Sequence, residues 1–133
     1  MFQNKTDNLN ILIAGGRNYN DYERLQAFVD ETIQNIKHKY QTVTIISGMA
    51  RGADMLGMQY AIQNEYKLLK FPAKWNTYGK QAGYIRNKQM LEYLKASPDN
   101  CMVIAFWDGL SHGTKHIIDN AKTMNIPCII VSY

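Results

Sequence analysis

Four short segments of this 133-residue sequence combine glycines with cations and aromatic side chains. They are AGGRNYND from Ala14, SGMARGAD from Ser47, FPAKWNTYGKQAGYIRN from Phe71 and FWDGLSHGTK from Phe106. Glycine lets backbone N–H groups come close to a ligand, and arginine and lysine neutralise negative charge. An aromatic ring can stack on a planar group. Together the segments predict a site for an anion that carries a flat ring, as a nucleotide does.

Each of the four segments follows an apolar run of strand length. The runs are Asn10–Gly15, Thr42–Ser47, Tyr66–Phe71 and Cys101–Trp107, and a fifth run, Cys128–Tyr133, ends the sequence. Several runs are apolar throughout, which is typical of strands that are covered on both faces.

Helical periodicity fills the intervals between these runs. The apolar positions are Leu25, Phe28, Val29, Ile33 and Ile36; then Met55, Met58, Tyr60 and Ile62; then Ile85, Leu91 and Leu94; and finally Ile117, Ile118, Ala121 and Met124. The alternation indicates an α/β protein, a single Rossmann-like domain with a five-stranded parallel sheet and helices on both faces. Because ligands of such sheets bind beyond the carboxyl ends of the strands, the four segments are expected at one edge.

The bulk composition is that of one globular domain, with 46% apolar and 20% charged residues. Residues 10–133 are predicted to form this domain, and the polar residues 1–9 a flexible tail. The net charge of +4 is compatible with an anionic ligand. With no run long enough to span a bilayer and no signal-peptide pattern, a cytoplasmic location without membrane contact is expected.

Metal chemistry and the common nucleotide motifs find no support in the sequence. Cys101 and Cys128 lie in apolar runs and are expected to be buried free thiols. No Cys, His and carboxylate cluster has the spacing of metal ligands, so neither a metal nor a cofactor is expected beyond a nucleotide-type ligand. The absence of GxGxxG after the first run disfavours an ordinary dinucleotide site, and the absence of GxxxxGK[ST] disfavours a P-loop NTPase.

The candidate ligand-binding residues come from all four segments. They are Gly15, Gly16 and Arg17; Ser47, Gly48, Ala50, Arg51, Gly52 and Asp54; Lys74, Trp75, Tyr78, Arg86 and Asn87; and Trp107, Asp108, Gly109, Ser111, His112, Gly113 and Thr114. Phosphate is expected on the amides of Gly48–Gly52 and Gly113–Thr114, each at the start of a helix. Taken singly, a glycine pair can be a turn, a tryptophan can be packing, and Asp54 can be a helix-start residue.

The four segments, in this order, resemble the YspA-like branch of the SLOG superfamily. That superfamily joins the DNA-processing protein DprA/Smf with the cytokinin-activating LOG phosphoribohydrolases. The resemblance covers Asn10 to Val131. It implies a parallel sheet of order 3-2-1-4-5 and a ligand derived from a nucleotide, such as an ADP-ribose-type or cyclic-nucleotide-type signal, which the protein would sense or sequester. It also implies a homodimer or a higher homo-oligomer.

The LOG enzymes supply an alternative, cleavage or transfer at the N-glycosidic bond of a nucleotide derivative. Arg86 and Met90 match the spacing of an arginine and a methionine in those enzymes. Their GGxGTxxE motif, whose glutamate is catalytic, corresponds here to LSHGTKHI, with Ile117 at the glutamate position. Because a carboxylate stabilises the oxocarbenium-like state of such a reaction, Asp54 or Asp108 would have to replace that glutamate. The catalytic candidates are therefore Arg86, Asp54 and Asp108, and the choice between an enzyme and a binder stays open.

A second alternative is binding of single-stranded DNA. The SGMARGAD segment is similar to the SGLARGID-type stretch of DprA, which binds single-stranded DNA. A strand binder usually carries a dense basic stripe with stacking platforms, whereas the cations here are dispersed along the sequence. Nucleic acid is therefore the less favoured partner.

Overall fold

A single parallel sheet of five strands organises the molecule, in the order β3-β2-β1-β4-β5. The computed structural model describes residues 6–133, with side chains from Asn8 onwards except that of Lys37. The strands are β1 (Thr6–Gly15), β2 (Tyr40–Ser47), β3 (Lys67–Lys70), β4 (Cys101–Trp107) and β5 (Cys128–Ser132). All four strand pairs are parallel. The expected fold class and strand order are confirmed.

The first strand begins earlier than the sequence indicated. Of the residues expected to form a flexible tail, 1–5 lie outside the described residues, but Thr6 to Leu9 belong to β1 and pair with β2. Thr42 and Thr44 donate their hydroxyl groups to Asn8 Oδ1, at 2.8 and 3.0 Å. These cross-strand bonds satisfy polar side chains that look like a solvated terminus in the sequence alone.

Residues 6–133 form five α-helices. They are α1 (Tyr22–Ile36), α2 (Ala53–Gln63), the short α3 (Trp75–Tyr78), α4 (Ala82–Lys95) and α5 (His112–Thr123). Of these, α1, α2, α4 and α5 cover the two faces of the sheet. Alternate residues of β1 point to opposite layers: Leu9, Ile11 and Ile13 pack with α1 and α2. Leu12 and Ala14 pack with α4 and α5. A strand covered on both faces in this way accounts for its apolar sequence.

The buried face of α2 differs from the one predicted. Met55 and Ile62 are exposed, and the buried positions are Ala53, Asp54, Gly57, Tyr60 and Ala61. The small residues at every fourth position let the helix lie close to β1, since a Cβ on Gly57 would be 2.9 Å from Ile13 Cβ. Close approach rather than apolar bulk therefore selects this face.

The expected homo-oligomer stays a prediction that analytical ultracentrifugation can check.

The strand order reverses at β1, which has β2 on one side and β4 on the other. The chain leaves β1 towards α1 on one face of the sheet and leaves β4 towards α5 on the opposite face. The two loops separate at that point, and such a separation leaves a crevice at the carboxyl edge.

Among the helices of residues 6–133, none is both long and apolar enough to cross a membrane.

Replacing Tyr60 with Phe is expected to loosen the contact between α1 and α2. The buried Tyr60 hydroxyl donates to Asp30 Oδ1 at 2.6 Å, and a hydrogen bond to a charged group contributes about 1.5 to 3 kcal/mol. We expect the free energy of unfolding, measured in urea, to fall by about 2 kcal/mol. The control is Tyr22→Phe, because Tyr22 donates to the Gln63 side chain at an exposed site. Equal losses in both variants would contradict this account.

Candidate functional site

A cavity of about 460 Å³ opens at the carboxyl edge of the sheet, where the loops after β1 and β4 separate. Its volume suits a small organic ligand. Of the residues predicted from the sequence, those that line it are Gly15, Gly16 and Arg17; Ala50 and Asp54; Trp75, Arg86 and Asn87; and Asp108, Ser111, Gly113 and Thr114. The topology therefore brings all four sequence segments to one place.

A second cavity of about 430 Å³ adjoins the first. Gly48 and Arg51, which do not reach the first cavity, line the second. Arg17, Ala50, Trp75 and Arg86 line both. The two cavities form one groove along the edge of the sheet.

The other predicted site residues line neither cavity. They are Ser47, Gly52, Lys74, Tyr78, Trp107, Gly109 and His112. Two of them hold loops in place: buried Ser47 donates its hydroxyl to the Asp54 carbonyl at 2.9 Å, and Trp107 Nε1 donates to the Ser111 carbonyl at 3.1 Å. Lys74, Tyr78, Gly109 and His112 are exposed.

The loops after β1 and β2 are locked together through Gly52. The Gly16 carbonyl accepts the Ala53 amide at 3.2 Å, which satisfies the first amide of α2. Gly52 has φ 79, and a Cβ there would overlap the Gly16 carbonyl. A side chain at this position would therefore be both strained and in collision.

Two of the amides after β2 are taken up by the protein itself. The Met49 amide donates to Ser47 Oγ at 3.2 Å, and the Ala50 amide donates to Asp54 Oδ2 at 3.2 Å. The amides of Met49 and Ala50 therefore already have partners, and a phosphate across Gly48–Gly52 stays a prediction. Sequence patterns show where glycines lie, but not which amides already have partners.

Asp54 is a buried carboxyl group at the floor of the first cavity, with 6% of its surface exposed. Burial raises its pKa to about 6, although Arg86 and the amides of Ala50 and Gly15 oppose the rise. Near neutral pH the group changes charge readily, which suits proton transfer or the acceptance of a ligand hydroxyl.

Arg86 joins the elements around the cavity. Its Nη1 donates to the carbonyl oxygens of Gly48 and, at 3.4 Å, Phe71, and its Nε donates to Asn87 Oδ1 at 3.0 Å. Burial lowers the pKa of Arg86, while Asp54 acts in the opposite direction. Its Nη2 makes no hydrogen bond within the described part of the chain, so this nitrogen can bind a ligand.

The start of α5 provides free amides at the cavity. Ser111 caps the helix, its Oγ accepting the Thr114 amide at 3.4 Å. Asp108 Oδ1 accepts the amides of Leu110 and Ser111, both at 2.9 Å, and these bonds lower the pKa of Asp108. Asp108 therefore stays ionised and orders the loop. The amides of His112 and Gly113 have no partner among the described residues and can bind an anion.

Five further residues line the first cavity: Asn18, Lys80, Gly83, Tyr84 and Ile117. The first four were not among the predicted site residues, and Ile117 is the residue that the resemblance placed at the position of the LOG glutamate. Gly83 and Tyr84 lie on the same stretch of α4 as Arg86 and Asn87, and this helical spacing is a signal that pointed to them. Tyr84 packs against His116, with ring centroids 4.5 Å apart and the ring planes tilted by 44°. Asn18 directly follows Arg17 in the AGGRNYND segment, and it is held in place by the Tyr133 hydroxyl at 2.6 Å.

Comparison with known families places the chain. A model of the family described as "YspA, cpYpsA-related SLOG family" matches residues 9–78, which is more than half of the sequence. The chain belongs to this family. The matched part of this SLOG protein includes the loops after β1 and β2 and the short helix α3.

Two relatives extend the comparison over nearly the whole SLOG chain. The Gene 61 protein of Mycobacterium phage D29 is 31% identical over 125 residues, covering 90% of this chain and 93% of its own length. The solved structure of DNA processing protein A (DprA) from Streptococcus pneumoniae superposes with a TM-score of 0.52 and 16% identity, over 94% of this chain. The chain spans 59% of the length of DprA, and this likeness shows the shared fold.

The remaining titratable groups form no further centre. Within residues 6–133, no group of three or more His, Cys, Asp or Glu side chains could hold a metal ion. Cys101 is buried and Cys128 is half-buried, and both are free thiols.

The stability of the protein should report the raised pKa of Asp54. Because its pKa is about 6 in the folded chain and 3.8 ordinarily, the folded state binds the proton more tightly. Wild-type stability relative to Asp54→Asn is therefore expected to fall by about 2 to 3 kcal/mol as the pH rises through this window, and to be constant above it. Urea unfolding across the pH range measures the difference.

Asp108→Asn is the control for this measurement. Loop amides lower the pKa of Asp108, so its stabilising contribution is lost, rather than gained, as the pH falls. A wild-type-to-Asp54→Asn difference that does not change with pH would contradict the buried position of this carboxyl group.

Proposed function

We propose that this protein binds a nucleotide or a nucleotide-derived small molecule, in order to sense or sequester it. The observation that carries the proposal is the free Gly113 amide at the start of α5, because Gly113 lines the same cavity as Arg86 and two aromatic residues, Trp75 and Tyr84. Membership of the SLOG family supports the same ligand class.

The phosphate would lie at the amides of His112 and Gly113, where the positive end of the helix dipole adds to their attraction. Lys80 and Arg17 also line this cavity and would neutralise further charge. The start of α2 is not an equivalent site, because the Gly16 carbonyl takes its first amide. Of the two phosphate positions expected from the sequence, the geometry favours the second.

The aromatic wall would hold the base. Trp75 has 50% of its surface exposed and Tyr84 has 45%, and both border the cavity. A base that packs on these exposed rings would bury apolar area on one face of each ring. Asp54, on the cavity floor, would repel a phosphate and accept a sugar hydroxyl instead. The ligand orientation follows from this separation of positive and negative groups.

A charge placed at Gly113 tests the phosphate position. Gly113 lines the cavity, and a Cβ there would meet nothing within 4 Å, so a side chain fits. Gly113→Asp should weaken AMP binding by at least about tenfold relative to Gly113→Asn, measured by isothermal titration calorimetry. Both residues have the same shape, so only the charge differs. An acidic residue in the first turn favours the helix, and a loss of binding would therefore not reflect unfolding.

Adenosine provides the internal control for this pair of variants. Without a phosphate it should bind the Asp and Asn variants within about twofold of each other. If AMP also binds both equally, the phosphate does not lie at the start of α5. If no nucleotide binds the wild-type protein at all, the proposed function is wrong.

A second candidate is cleavage or transfer at an N-glycosidic bond, favoured by the buried Asp54 carboxyl group in the cavity. Ile117 also lines the cavity and is apolar, so it contributes no carboxylate. In this candidate Asp54 would stabilise the positive charge that develops on the sugar, and Arg86 would hold the ligand.

Incubation with AMP, NAD and ADP-ribose separates the two candidates. The enzyme candidate predicts base release by the wild-type protein and a loss of at least about a hundredfold in rate for Asp54→Asn, with binding retained. Measurable binding without base release would exclude this candidate and leave the binding function.

A further inference from the structure

The second cavity carries more positive charge than a single phosphate needs. Arg17, Arg51 and Arg86 all line it, and no Asp or Glu does. The amides of α5 and Lys80 belong to the first cavity and do not reach the second. Each cavity thus has a cation of its own, Lys80 in the first and Arg51 in the second, while Arg17 and Arg86 line both and connect the two groups of charge.

Two of these arginines, Arg17 and Arg51, have no hydrogen-bond or ion-pair partner within the described residues, whereas the charge of Arg86 is partly offset by Asp54. Within residues 6–133, the guanidinium groups of Arg17 and Arg51 donate no hydrogen bond and form no ion pair; the ion pair within 4.0 Å is Lys115–Asp119. Arg86 lacks a partner at Nη2. Burial lowers the pKa of Arg86 and the nearby charge of Arg17 adds to this effect, while Asp54 opposes it. Unpaired cations that converge on one concave site attract an anion.

Trp75 lies between the two groups of charge. It is the aromatic residue shared by both cavities, and half of its surface is exposed. Each cavity, at about 460 and 430 Å³, is large enough for one nucleotide-sized part of a ligand. A ring stacked on Trp75 would thus have one anion-binding site on either side of it.

We propose that the ligand is a dinucleotide, whose two phosphate groups are separated by a nucleoside. One phosphate would bind the amides of His112 and Gly113, and the other would bind Arg17, Arg51 and Arg86, with a base on Trp75. The proposal rests on the proposed function and adds the ligand class. A pyrophosphate holds both phosphate groups next to each other and would engage one of the two sites.

Arg51 is the residue that tests this proposal, because it is exposed and lines the second cavity but not the first. Isothermal titration calorimetry would compare AMP with the dinucleotide pApA. On the wild-type protein, pApA should bind at least about tenfold more tightly than AMP. Arg51→Gln should remove about tenfold of the pApA affinity and leave that of AMP within about twofold. Thermal unfolding of the variant checks that it is folded.

Two controls sharpen the comparison. Lys122→Gln removes an exposed cation that lines neither cavity and should change the affinity for pApA by less than about twofold. ADP-ribose carries a pyrophosphate, so its affinity should also change by less than about twofold in Arg51→Gln.

The outcomes distinguish this proposal from the function on which it rests. If AMP binds but pApA binds no more tightly, or if Arg51→Gln weakens both ligands equally, the dinucleotide proposal is overturned and the nucleotide site stands. If neither binds, the proposed function fails and the dinucleotide proposal fails with it. If affinity continues to rise with pA4 and pA8, the groove follows a nucleic-acid strand and the dinucleotide class is wrong.

Discussion

The arrangement of the loops at the carboxyl edge of this sheet depends on the hydrogen bonds of the buried Arg86 guanidinium group. It binds the Gly48 carbonyl after β2, the Phe71 carbonyl after β3 and the Asn87 side chain on its own helix. Asn87 in turn donates to the Gly113 carbonyl at the start of α5. The cost of burying a charge is offset by hydrogen-bond partners and by a nearby opposite charge, which Asp54 supplies here. The same group that needs these carbonyls thereby holds three loops in one arrangement.

That arrangement decides which backbone groups remain for a ligand. In the turn after β2, the Met49 and Ala50 amides donate to the side chains of Ser47 and Asp54. The first amide of α2 donates to the Gly16 carbonyl. The start of α5 keeps two amides free because its cap, Ser111, accepts from the third helical residue. Of two helix starts that look alike in the sequence, one serves to join loops and the other faces the cavity.

The arginines show a similar division of labour. Most hydrogen-bond donors of Arg86 bind other parts of the protein, whereas Arg17 and Arg51 are exposed and have no hydrogen-bond partner within residues 6–133. Their positions, one after β1 and one after β2, place the charge of Arg17 in both cavities and that of Arg51 in the second cavity only. Asp54 adds a negative group to the first cavity floor. The pattern of charge, rather than its sum, is what the ligand must match.

The sequence by itself determined the α/β class, the strand and helix alternation and the set of loops at the carboxyl edge, because apolar periodicity and parallel connectivity are local or topological properties. The resemblance carried by the four segments added the strand order. Tertiary structure alone decided that α2 buries Gly57 instead of Met55, that Thr6–Leu9 extend β1, and that Tyr133 holds Asn18 beside the cavity. It also decided which amides and cations are free. These outcomes depend on close approach and on hydrogen-bond partners far away in the chain, which no local pattern records.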